Sequence, residues 1–146
     1  MIATHTFDIR VTRRFDASAE RVFDAWLDPD MARRFLFATP AGEMVRVEID
    51  ARVGGRFLII ERRDGEDAEH VGEYVEIDRP HRLVFSFWSG GSEPSSVTIE
   101  IASDATGCEL TLTHEIDAQY ADYEERTRGG WSGILEGLAA AVDRGS

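Results

Sequence analysis

Between Asp122 and Val142 the apolar and aromatic residues step by three and four: Tyr123, Thr127, Trp131, Ile134, Leu135, Leu138 and Val142. That spacing gathers them on one face of a helix, with Glu125, Arg128, Ser132, Glu136 and Asp143 on the other. A helix of this length runs about 30 Å, the width of a small domain, so its apolar stripe needs a broad partner. The chain upstream supplies one, because Met44 to Ile116 reads almost entirely as strand. The expectation is a sheet that curls around the helix, with the space between them holding whatever the protein binds.

The rest of the chain fits this frame. His5 to Phe15 alternates, with Phe7, Ile9 and Val11 on one face, and reads as a first strand. Asp16, Ala17 and Ser18 offer capping chemistry to a short amphipathic run bearing Val22, Phe23, Trp26 and Leu27. The Asp28-Pro29 step stops that run, since the residue before proline avoids the α region. A second short helix, roughly Asp30 to Phe35, follows, and Phe37 to Glu43 reads as a loop. Strands are then expected around Val45–Ile49, Arg56–Glu61, Val71–Ile77, Leu83–Trp88, Val97–Ile101 and Leu110–Ile116. Gly54-Gly55 and Asp64-Gly65 mark tight turns, and Glu66 to Glu69 reads as an acidic loop. Strands without intervening helices mean an antiparallel sheet rather than βαβ units. The fold class is therefore α+β, with one domain over residues 1–146.

Composition narrows the partners. The 146-residue chain is the size of one domain and carries a formal net charge of −12. That charge repels phosphate backbones and anionic lipid, which argues against nucleic acid and membrane surfaces. A single cysteine, Cys108, excludes an internal disulfide and fits a reducing cytoplasm. Met1 to Phe15 alternates and carries Asp8, Arg10, Arg13 and Arg14, unlike a signal or transit peptide.

The order of elements, together with Asp50-Ala51-Arg52-Val53-Gly54-Gly55-Arg56, Glu73-Tyr74-Val75-Glu76-Ile77 before Asp78-Arg79-Pro80, Leu83-Val84-Phe85, Leu112-Thr113-His114-Glu115 and Gly130-Trp131, resembles a known group. It is similar to the SRPBCC (START-like, birch-pollen-allergen-like) superfamily, and within it to the C-terminal domain of the activator of heat-shock protein 90 ATPase. The resemblance covers nearly the whole chain. It implies a helix-grip fold: a curved antiparallel sheet wrapped around the long C-terminal helix, with the two short helices closing one end.

Leu110, Leu112 and His114 are in phase, so the imidazole should face the concavity, where it could meet the polar end of a ligand. The plainer reading is a histidine near the sheet's edge, satisfied by backbone or water. Trp131, Trp26 and Trp88, with Phe85, Phe87, Phe57 and Tyr74, supply aromatic surface that suits an apolar or ring-bearing ligand, or else simply packs the core. Leu112 and Ile134 complete the expected lining. Gly129, Gly130, Gly133 and Gly137 cost about 1 kcal/mol each inside a helix, which suggests either close backbone approach, to a strand or a second subunit of a homodimer, or a helix free to bend. Asp64, Glu66, Asp67, Glu69 and His70 lack the periodicity of a calcium loop and read as a solvated hairpin tip. No zinc ligand set, nucleophile elbow or phosphate loop is present, so no metal or cofactor is expected.

Three functions stand in order. The first is a module binding a small apolar or aromatic molecule between helix and sheet. The second is a cyclase- or aromatase-like enzyme using His114 as acid or base, with Glu61, Glu73 or Tyr74 as helpers. The third is a chaperone partner, which the resemblance invites although only one of that activator's two domains is matched.

Overall fold

A computed structural model describes residues 6–37, 42–89 and 95–142. Strand β1 (Thr6–Phe15) leads into helices α1 (Ala19–Ala25) and α2 (Pro29–Phe35). Ser18 caps α1 by accepting a hydrogen bond from Arg21 N, and Asp28 caps α2 by accepting one from Asp30 N, with Pro29 in the first turn. Each cap satisfies a backbone donor that a helix start leaves open. Six strands follow: β2 (Glu43–Ile49), β3 (Arg56–Arg63), β4 (Glu66–Asp78), β5 (Arg82–Ser89), β6 (Ser95–Asp104) and β7 (Gly107–Asp117). A 3-10 turn (Ala118–Tyr123) then delivers the chain to α3 (Glu124–Val142).

The strands form one antiparallel sheet in the order β1-β7-β6-β5-β4-β3-β2. The two short helices carry the chain from one edge of that sheet to the other. Extra residues at Val45 and Val75 break the pairing register of β2 and β4, and such bulges bend a strand. Trp131, Ile134, Leu135, Leu138, Ala139 and Val142 of α3 are buried in one cluster with Phe85, Val97, Ile99, Leu110 and Leu112 of the sheet. Side chains of that size contribute about 1.5–3 kcal/mol each when taken out of water. This is the curved-sheet, long-helix α+β arrangement expected from the sequence, and the apolar stripe of α3 is what the sheet covers.

Three expectations change in detail. The helix begins at Glu124 rather than Asp122, and Tyr123, expected on its apolar stripe, is half exposed in the preceding 3-10 turn. Glu66–Glu69 is not a loop: Asp64 (φ 53°) and Gly65 (φ 81°) complete a two-residue turn, so pairing resumes at Arg63↔Glu66 and Arg62↔Asp67. Val45 leaves the face of Val47 and Ile49 because the bulge falls there, and it is 43% exposed. Phe37 lies outside the helices and strands, as expected, and its side chain is buried. His5, Asp143, residues 38–41 of the expected loop and residues 90–94 lie outside the described residues.

Of the helix glycines, only Gly137 meets a neighbour. A β-carbon there would lie 3.1 Å from Phe35 Cβ of α2, so this glycine lets the two helices close. Gly129, Gly130 and Gly133 face open space.

Candidate functional site

Among the described residues three polar or charged side chains are buried: Glu61, His70 and His114. Strand alternation turns all three inward. His114 sits on β7 between Ile9 of β1 and Val97 of β6, in phase with Leu110 and Leu112 as the sequence required. Trp131, on the stripe of α3, reaches it: indole Nε1 donates to His114 Nδ1 at 3.0 Å, the rings standing at 89°.

An indole N–H can only donate, so Nδ1 must be the bare nitrogen and the ring proton must sit on Nε2. Nε2 in turn lies 2.7 Å from Ser95 Oγ, and that hydroxyl donates onward to the Phe87 carbonyl at 3.3 Å. The chain Trp131→His114→Ser95→Phe87 thus runs in one direction, with every donor used. Burial pushes the His114 imidazole down to about 4. The indole bond acts the same way, because a proton on Nδ1 would displace it. His114 is neutral at pH 7, with both nitrogens engaged.

A second cluster adjoins this chain. His70 of β4 and Phe87 of β5 lie side by side, their centroids 6.1 Å apart and planes within 10°. Phe37 lies flat across both, at 4.4 Å and 4° from His70 and 4.9 Å and 13° from Phe87. Trp131 and Phe57 flank it at 5.8 Å and 6.2 Å. His70 Nδ1 bonds the Ile59 carbonyl at 3.3 Å, and since a carbonyl only accepts, that nitrogen carries the proton, the opposite tautomer to His114. Burial lowers the His70 pKa, partly opposed by this bond. The fully buried Glu61 carboxylate pairs with Arg63, whose guanidinium also reaches the Phe37 carbonyl at 3.5 Å. Phe37 holds φ at 58°, a left-handed conformation that costs a side-chain-bearing residue about 1–2 kcal/mol.

Where β5 and β6 part, an open cleft of about 600 Å³ runs past His114. Phe87, Ser95 and Ile116 line it from the sheet, and Tyr120, Tyr123 and Thr127 from the helical side, with Ser86, Ser96 and Glu115 at its outer rim.

The structure brings together only part of the set expected from the sequence. His114 and Trp131 touch. Phe57, Tyr74 and Phe85 pack on one another beneath the Phe37 cluster, at centroid separations of 5.3–6.5 Å. Leu112 and Ile134 are core residues beside them. Trp88 is a correction: strand alternation puts it on the outer face of β5, opposite Phe85 and Phe87, where the Arg56 guanidinium covers it at 5.9 Å. Trp26 belongs to the helical layer, edge-on to Phe35 at 5.2 Å. Of the suggested catalytic helpers, Glu73 pairs with Arg56 at 3.4 Å, and burial raises the Tyr74 phenol far above its ordinary range. Neither joins His114. No group of three metal-ligating side chains occurs among the described residues.

A curved seven-stranded sheet gripping a C-terminal helix, with a polar chain buried between them, defines a START-like helix-grip domain. The profile of the family described as activator of Hsp90 ATPase homolog 1-like protein matches residues 16–143, and the chain belongs to that family. A crystal structure from Chromobacterium violaceum is 27% identical, with a TM-score of 0.83 over 93% of this chain and 96% of that one. The AHSA1-like protein of Aeromonas hydrophila (23% identity, TM-score 0.81, covering 95% and 94%) shares the fold. So does a Staphylococcus aureus protein of unknown function (13% identity, TM-score 0.86, covering 97% and 96%). No curated protein matches the chain.

Proposed function

We propose that this domain binds a small apolar or aromatic molecule in the cleft between the β5–β6 end of the sheet and the start of α3. The observation that supports this reading is the cleft itself: about 600 Å³, with Phe87, Ile116, Tyr120 and Tyr123 as apolar surface and the His114–Ser95 pair as a fixed polar wall. That size and mixture suit a small ligand. Catalysis by His114 is the weaker reading, because Trp131 and Ser95 occupy both ring nitrogens.

The test is titration with N-phenyl-1-naphthylamine, a neutral fluorescent aromatic probe. Binding in the cleft raises probe fluorescence and raises Tm with probe concentration, and Ile116→Asp abolishes both. Absence of either signal up to the probe's solubility limit refutes the proposal. The family's description favours contact with the Hsp90 chaperone as a second reading. Co-sedimentation of the purified domain with the purified chaperone separates the two.

A further inference from the structure

We propose that the ring of Phe37 fills the aromatic subsite of this binding site, and that a flat, uncharged aromatic ligand binds by displacing it. This rests on the small-molecule reading above and adds the ligand class and the route of entry. His70 and Phe87 form a nearly coplanar floor, and Phe37 lies parallel to it at 4.4 Å and 4.9 Å with Trp131 as a side wall. That is the stacking geometry a free planar ring would adopt. The other rings of the cluster project from strands or from α3, whereas Phe37 follows the end of α2 and belongs to no regular element. It also holds a left-handed backbone at φ 58°, and strain of that kind concentrates at ligand clamps and switch regions.

The subsite adjoins the cleft through one shared ring. Phe87 is at once floor of the subsite and lining of the cleft, and His114 stands 6.0 Å from its ring. Charge selects the ligand further. Glu61 and Arg63, the ionic groups beside Phe37, are paired with each other, so a charged ring would enter without a counter-ion of its own.

The experiment compares wild type with Phe37→Gly, which deletes the ring while fitting the left-handed backbone. With N-phenyl-1-naphthylamine, Phe37→Gly should bind at least tenfold more tightly than wild type, because nothing has to be displaced. In wild type, probe saturation should abolish the nuclear Overhauser contacts between Phe37 and His70, a measurement independent of the variant's folding. Equal or weaker binding by a folded Phe37→Gly, or persistence of those contacts at saturation, overturns the displacement while leaving the cleft reading standing. Failure of both proteins to bind removes the cleft reading itself.

Discussion

At the residue scale, the His114 pair carries the sharpest consequences. Its folded-state pKa of about 4 lies below the ordinary 6.5, so the unfolded chain binds more protons between those values. Stability is therefore full above pH 6.5 and falls as pH drops through the window. From pH 7 to pH 5 the loss assigned to His114 is about 2 kcal/mol, and His70, also lowered by burial, adds in the same direction. Urea unfolding of wild type and His114→Gln at both pH values should show the variant losing less. Trp131→Phe removes the indole donor and leaves Nδ1 buried without it. The cost should be about 1–3 kcal/mol in urea unfolding, accompanied by an upward shift of the His114 titration followed by NMR.

Parity along the strands decided which of these residues could be foreseen. Leu110, Leu112 and His114 alternate without interruption, so the inward imidazole was legible before any coordinates. Trp88 follows Phe87 directly, and the same parity would have sent it outward; reading the aromatics as a set obscured this. His70 was hidden because Glu66–Glu69 read as a loop, which detached it from the inward phase of Gly72 and Tyr74. Phe37 carried no signal, since its place depends on contacts from three strands and a helix rather than on any local period.

At the element scale, glycine positions separate close packing from tolerance. On β4, a β-carbon at Gly72 would lie 2.1 Å from the Phe57 ring and 2.6 Å from the Ser86 carbonyl oxygen. The missing side chain is the space into which Phe57 folds. Gly72→Ala should destabilise by about 1–3 kcal/mol, as overpacked cores do, with the loss of Tm as the readout. On α3 the reverse holds, because Gly129 and Gly130 meet nothing within 4 Å. Gly129→Ala and Gly130→Ala should each stabilise by about 1 kcal/mol in thermal melts, while Gly137→Ala, pressed against Phe35, should not. The caps at Ser18 and Asp28 and the Asp64-Gly65 turn were readable because each is a local rule. The exact start of α3 was not, because the 3-10 turn ahead of it continues the same spacing.

At the scale of the whole molecule, the first strand and the last are neighbours. β1 pairs along its length with β7, and Thr12 meets Thr111 across 99 residues of chain. Strands β2 to β7 follow one another closely in the chain, each pairing with the next, and can zip in succession, yet β1 has no partner until β7 is made. Closing so long a loop is an entropic toll on the folding transition state, and sheets dominated by distant pairing fold in milliseconds to seconds. During synthesis the earliest strand must therefore wait on the ribosome as an orphan edge, exposed to mispairing until the final hairpin arrives to receive it.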